Sequence, residues 1–126
     1  MKIASFNANG IRARLPIVLQ WLKQESPDVL CIQETKVQDH DFPTQPFLDA
    51  GYFCSFKGQK SYNGVAIVSK TAPRDVSTGF HDQDEQEGPR LIRVNIDGLQ
   101  IINTFADGKP KSIYMGVSFI KYKNDD

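Results

Sequence analysis

Lys2-Ile3-Ala4-Ser5-Phe6-Asn7-Ala8-Asn9-Gly10 and Asp28-Val29-Leu30-Cys31-Ile32-Gln33-Glu34-Thr35-Lys36 are two apolar runs that end in polar residues. The first stops at Asn9-Gly10, a strong turn signal. Between them, Pro16 suits a first helical position, and Ile17, Val18, Trp21, Leu22 and Glu25 continue at helical spacing until Ser26-Pro27. Residues 2–32 therefore read as strand, helix, strand, and a crossover of that length permits the two strands to pair in parallel. Open α/β sheets hold ligands beyond the carboxyl ends of such strands. Asn7, Asn9 and Glu34 fall there.

Working outward, residues 39–46 are polar and Pro-interrupted, and a short helix reaches Ala50. Tyr52 to Phe56 and Gly64 to Ser69 read as strands joined by the polar turn 57–63. Thr71 to Gly88 reads as a loop with an acidic run between Asp82 and Glu87. Arg90 to Ile96 alternates and meets Asp97-Gly98, the strongest hairpin signal in the chain, with Leu99 to Phe105 returning. Beyond the breaker Asp107-Gly108-Lys109-Pro110-Lys111, the apolar-aromatic run Ile113 to Tyr122 reads as a last strand or a tail. The organisation expected is one domain part over residues 1–105 and a divergent tail over 106–126.

At 126 residues the chain is long enough for one domain with a core. Fifteen Lys and Arg balance fifteen Asp and Glu. This excludes a general basic coat for nucleic acid, so any DNA contact must come from a local patch. Cys31 and Cys54 have no C-x-x-C spacing, and Cys31 lies in an apolar run. A reduced core thiol at Cys31 and a cytoplasmic setting are expected. No apolar stretch approaches the ~20 residues of a membrane span, and the N-terminus enters a strand pattern without a signal-type apolar region.

Glu34 emerges from a buried-type run, so its carboxylate stands at a strand's carboxyl edge. Mg²⁺ takes oxygen ligands, commonly one or two carboxylates with phosphate and water. Asn7 and Asn9 are placed to orient a phosphate oxygen or a metal ligand. The alternative is a solvated strand-end acid beside a simple Asn turn. Arg12, Arg14, Lys36, Lys57 and Lys60 offer phosphate contacts, and Tyr62 is an aromatic suited to wedging into or stacking on nucleic acid. Taken singly, each also reads as ordinary surface. His40 and His81 lack metal-ligand spacing and read as surface residues. No P-loop, dinucleotide fingerprint or nucleophile elbow is present.

Three segments together carry a specific resemblance: Ser5-Phe6-Asn7-Ala8-Asn9-Gly10-Ile11-Arg12-Ala13-Arg14, Pro27 through Lys36, and Tyr62-Asn63-Gly64-Val65-Ala66-Ile67. Gly51-Tyr52 and Arg90-Leu91-Ile92 add to it. In order and spacing the chain resembles the exonuclease III branch of the apurinic/apyrimidinic endonuclease family, over residues 1 to about 105. The resemblance implies the N-terminal half of a four-layered α/β sandwich with mixed β-sheet. It also implies Mg²⁺- or Mn²⁺-dependent cleavage of DNA 5′ to an abasic site and removal of nucleotides from 3′ ends. By the same resemblance Glu34 and Asn7 are the catalytic and metal residues. Asn9, Arg12, Lys36, Tyr62 and Arg90 face an abasic-site duplex.

The departures are equally specific. Where the family has Asn-x-Tyr-x-Pro-x-Gly, this chain has Asn103-Thr104-Phe105-Ala106-Asp107-Gly108, so Phe105 replaces the catalytic tyrosine and loses its hydroxyl. The family's Gly-Asp-x-Asn, later metal-site Asp and Ser-Asp-His motifs are absent from the residues that follow. Two expectations stand side by side: a family nuclease, and a truncated, catalytically inactive fragment that binds DNA weakly. A relative acting on phosphoester lipids or sugars fits the Arg12, Gln33-Glu34-Thr35-Lys36 and Tyr62 segments less well. With the family's second half missing, the inner face of the first sheet is expected to lie open and to invite a homodimer.

Overall fold

Residues 1–79 and 89–104, with the backbone of 117–120, are described by the structure, a computed structural model. Ile3–Asn7 (β1) and Val29–Gln33 (β2) pair in parallel through the helix Ile11–Glu25 (α1). The crossover logic of the sequence holds. Val65–Ser69 (β4) pairs antiparallel with β2 and with Phe53–Lys57 (β3), giving a mixed sheet of order β1-β2-β4-β3. A second, antiparallel sheet runs Arg74–Thr78 (β5), Leu91–Ile96 (β6), Leu99–Thr104 (β7), Val117–Ile120 (β8). Asp97 and Gly98 take positive φ at the β6–β7 hairpin tip, as their dipeptide signals.

Every residue of β2 is buried because the strand has a partner on each face. Leu30 and Ile32 join Ile11, Val18, Leu22 and Phe47 under α1 and the short helix Thr44–Asp49 (α2). Val29 and Cys31 meet Ile92, Val94, Ile96 and Ile101 from the second sheet. A strand buried on both faces is a continuous apolar run, which is what Val29-Leu30-Cys31-Ile32 is. The buried α1 positions Ile11, Val18 and Leu22, with half-buried Leu15 between them, form one stripe at 3.6-residue spacing.

Three expectations change. α1 begins at Ile11, not Pro16: Pro16 lies inside it, where it has no N–H to give the Arg12 carbonyl. The earlier start is held by the Gly10 and Ile11 N–H groups, which donate to the carbonyls of Glu34 and Thr35 at 2.9 and 3.0 Å. Arg74–Thr78 is a strand within a segment read as loop; all five residues are exposed, so it carries no alternation to read. The inner face of the first sheet is also closed, since β6 and β7 pack on β2 and β4. That removes the burial argument for a homodimer through this face. The run Ile113 to Tyr122 includes β8, paired to β7. The acidic run 82–87, His81 and Phe105 lie outside the described residues.

Candidate active site at the carboxyl ends of β1 and β2

Register brings the site together. Asn7 pairs with Gln33, Gln33 with Val65, and Val65 with Lys57, so these four form one row across the end of the first sheet. The loops after β1 and β2 and the loop before β4 all leave from this row. They are tied by backbone bonds: Thr35 N–H to the Gly64 carbonyl (3.2 Å), Lys36 N–H to that of Asn63 (2.9 Å), and Ser61 N–H to that of Lys36 (3.2 Å). Gly64, at φ +100°, lies so close to Thr35 that an added Cβ would collide with its Oγ1. Glycine is required there for both reasons.

Within this frame Asn7 Oδ1 accepts the Asn9 N–H at 3.1 Å, an Asx turn that fixes the Asn7 amide. Asn7 Nδ2 is then buried without a hydrogen-bond partner. Lys36 Nζ donates to Asn9 Oδ1 at 2.6 Å and stands 4.0 Å from Glu34 Oε1. The Glu34 side chain is only 12% exposed, and among the described residues no hydrogen bond reaches its carboxylate. A nearly enclosed carboxylate and an enclosed amide donor therefore lie on adjacent strand ends with capacity left over.

The structure brings Asn7, Asn9, Glu34 and Lys36 together as the sequence predicts. Arg12 is exposed on the first turn of α1, whose N-terminus hangs from the Glu34 and Thr35 carbonyls. Tyr62 is 68% exposed on the loop that bonds to Lys36. Arg90 follows Pro89, whose carbonyl accepts the Gly64 N–H at 3.0 Å. Lys57 stands at the same sheet end but pairs with Asp39 at 3.8 Å, and His40 is exposed beside Asp41. Cys31 and Cys54 are free thiols.

One functional neighbour is missed by sequence reasoning. Asn103 on β7 is fully buried, donates to the carbonyls of Ile32 (2.9 Å) and Ala66 (2.8 Å), and accepts from Gln33 Nε2 (2.8 Å). It fastens the second sheet to the first directly under the site. A polar residue following Ile101-Ile102 within the returning strand is the signal that points to it.

Residues 4–118 match the model of the endonuclease/exonuclease/phosphatase family. The chain is 36% identical over 109 residues to exodeoxyribonuclease III of Haemophilus influenzae, covering 83% of this chain and 41% of that protein. Among solved structures it is similar to an AP endonuclease from Archaeoglobus fulgidus (48% identity, TM-score 0.79, covering 85% of this chain and 41% of that one). It is also similar to a Neisseria 3′ phosphatase bound to a product DNA hairpin (37% identity, TM-score 0.79, covering 85% and 42%). The chain thus spans about two fifths of the length of these proteins.

Proposed function

The chain belongs to the endonuclease/exonuclease/phosphatase family, and from that premise we propose that it carries the metal-carboxylate and phosphate-contacting part of an exodeoxyribonuclease III-like DNA-repair nuclease. Its substrate class is the DNA phosphodiester, at abasic sites in duplex DNA and at 3′ ends. The observation behind this reading is the pairing, among the described residues, of an enclosed, hydrogen-bond-free Glu34 carboxylate with the unpartnered Asn7 Nδ2 donor. The setting proposed is the cytoplasm, in keeping with two free thiols. No described helix is long and apolar enough to cross a membrane.

The donor set fits a hard divalent cation, Mg²⁺ or Mn²⁺: Glu34 is the carboxylate, and Asn7 Oδ1 keeps a second lone pair beside its bond to Asn9. Bound there, such a cation supplies charge neutralisation on a phosphoryl oxygen. The residues themselves do the rest of the binding. Asn7 Nδ2 donates to a phosphate oxygen, which relieves its burial without a partner. The Lys36 ammonium, held by Asn9, offers a second positive contact on the same rim. Arg12 contacts a flanking phosphate, and Tyr62 inserts into the groove or stacks on a base. Arg90 extends the DNA-facing surface beyond the Gly64 loop.

Hydrolysis also requires an oriented water and a group to take its proton. Among the described residues no group of three or more His, Cys, Asp or Glu is placed to hold a metal. This favours a second reading, in which the 126 residues alone bind DNA weakly without turnover. Both are tested by incision of a duplex oligonucleotide with one abasic site, in Mg²⁺ and in EDTA, with fluorescence anisotropy for binding. Mg²⁺-dependent cutting that is lost in Glu34→Gln supports the nuclease reading for the chain alone. Binding without cutting, weakened by Lys36→Ala, supports the second. Neither cutting nor binding by folded protein refutes both.

A further inference from the structure

We propose that Asp39 is a positioning residue for the loop 57–63. It latches the start of that loop to the segment after Glu34, and so fixes where Tyr62 stands relative to Glu34 and Lys36. The inference rests on the nuclease reading in one respect, that Tyr62 meets DNA; the latch itself stands on the fold.

Asp39 is held from behind. It opens a short 3-10 turn, Asp39–Asp41, in which the Asp41 N–H donates to the Gln38 carbonyl (2.9 Å) and the Phe42 N–H to the Asp39 carbonyl (3.1 Å). Buried Phe42 stacks on Phe56 of β3, with ring centroids 4.2 Å apart and planes 8° from parallel. Phe56 lies two residues before Gly58, so this stack seats the turn where β3 runs out. There Asp39 Oδ1 accepts the Gly58 N–H at 2.7 Å, a charge-assisted bond. Asp39 Oδ2 lies 3.8 Å from Lys57 Nζ, but both side chains are about half exposed and the pair adds little. Gly58 packs so closely on this segment that an added Cβ would collide with the Val37 carbonyl.

Lys57 is the last rung of the β3–β4 ladder. From Gly58 to Lys60, the Gly58 N–H is the one backbone group with a hydrogen bond among the described residues. Beyond it, the Ser61 N–H donates to the Lys36 carbonyl (3.2 Å) and the Lys36 N–H to the Asn63 carbonyl (2.9 Å), so Tyr62 lies between two residues tied to Lys36. Ser61 and Asn63 hold positive φ, 70° and 56°. Backbone of this kind persists only while its surroundings over-determine it. The tie at Asn63 is backed by Gly64, whose N–H donates to the Pro89 carbonyl at 3.0 Å. The longer tie at Ser61 has behind it only the Gln59–Asn63 side-chain bond (2.8 Å) and Asp39. Asp39 therefore governs the first half of the loop, and with it the pose of a largely exposed aromatic ring. Asp39 is also an acid on a rim read as DNA-facing, where charge alone makes its removal favourable to binding. A latch makes its removal costly.

The test compares Asp39→Ala, which removes the acceptor, with Asp39→Asn, which keeps an amide oxygen for the Gly58 N–H and discards the charge. Amide exchange on the free chain follows the latch. In Asp39→Ala the Gly58 and Ser61 amides exchange at least about tenfold faster, the scale of one hydrogen bond, while the Lys36 amide is unchanged. Asp39→Asn keeps all three slow. Anisotropy with an abasic-site duplex follows the consequence. Asp39→Ala binds about three- to tenfold more weakly, the cost of ordering one side chain, and Asp39→Asn binds at least as tightly as the parent. On a Tyr62→Ala background, Asp39→Ala costs no further affinity. Gly58 exchange that rises alone, with Ser61 unmoved, overturns the latch. Asp39→Ala binding as tightly as the parent, or losing equally with and without Tyr62, overturns the positioning role and leaves the nuclease reading standing. If the folded parent does not bind the duplex, the nuclease reading and this inference fall together.

Discussion

Replacing Asn103 with leucine tests whether the two sheets are fastened by this one side chain. The heavy-atom count and branching are kept, so the change chiefly removes three hydrogen bonds: to the Ile32 carbonyl (2.9 Å), to the Ala66 carbonyl (2.8 Å) and from Gln33 Nε2 (2.8 Å). Ile32 and Ala66 are register partners in the β2–β4 ladder, so their carbonyls keep a ladder bond when Asn103 is lost. Gln33 Nε2 keeps Ser5 Oγ at 3.2 Å and the Cys31 carbonyl at 3.4 Å. None of the three is fully orphaned, and each loss lies near the ordinary net value of about 0.5–1.5 kcal/mol. Extra apolar burial returns about 1 kcal/mol. The expected destabilisation in urea unfolding is therefore about 2–3 kcal/mol. With Gln33→Met added, the double variant loses less than the sum by about 1 kcal/mol, because the shared bond is counted once. A cost below about 0.5 kcal/mol, or strict additivity, refutes the fastening.

Gly64→Ala meets both a positive φ and the Thr35 side chain, so it destabilises by about 2–4 kcal/mol in thermal or urea unfolding. Gly98→Ala, with a positive φ but nothing within 4 Å, loses only about 1–2 kcal/mol. Burial pushes the Cys31 and Cys54 thiols up from 9.0 to about 12. Both are held neutral in the fold, so their contribution is complete below pH 9 and is lost as pH rises from 9 towards 12. Cys31→Ala and Cys54→Ala each flatten that alkaline decline when unfolding midpoints are compared across pH. Tyr62→Ala leaves the urea midpoint within about 0.5 kcal/mol of the parent, yet weakens DNA binding in anisotropy titrations by about 1–3 kcal/mol. Glu34→Gly costs little stability, within about 0.5 kcal/mol either way, since glycine relieves the positive φ while adding unfolded-state freedom. It abolishes Mg²⁺ binding measured by calorimetry.

Legibility differed by element for identifiable reasons. β1, β2 and their parallel pairing were readable because Val29 to Ile32 is an unbroken apolar run separated from β1 by a helix-length interval. The hairpin was readable because Asp97-Gly98 is a local signal. The start of α1 was not: it depends on carbonyls of Glu34 and Thr35 that lie more than twenty residues away, while Pro16 offered a competing local cue. β5 was invisible because an exposed edge strand such as Arg74–Thr78 needs no apolar pattern. The covering of the first sheet was also missed, since family motifs in the sequence do not tell which strands form the second sheet. At the site, Asn7, Asn9, Glu34 and Lys36 were legible as strand-end polar residues, and the structure brings them together. In the sequence Asn103 stands only as part of a departing motif, because its partners lie on two distant strands.

The site is built from backbone more than from side-chain packing. Asn9, Glu34, Lys36, Ser61 and Asn63 all have positive φ, between 47° and 70°, in the three loops at one sheet end. Asparagine adopts this region at low cost, but glutamate and lysine do so at about 1 kcal/mol each or more. Such residues persist only where neighbouring structure over-determines them, and here five loop-to-loop backbone bonds do so: Gly10 to Glu34, Ile11 to Thr35, Thr35 to Gly64, Lys36 to Asn63 and Ser61 to Lys36. Thr35, buried between the two strained residues, is the pivot. Glu34 and Lys36, two apart, are thereby aimed at one spot, 4.0 Å from each other. Their charges do not form a close ion pair, which keeps the carboxylate open to a cation and the ammonium open to an anion. Strain held by backbone bonds at a strand end is thus what turns the Glu34 and Lys36 side chains of Ile32-Gln33-Glu34-Thr35-Lys36 towards one spot, the geometry on which the proposed site rests.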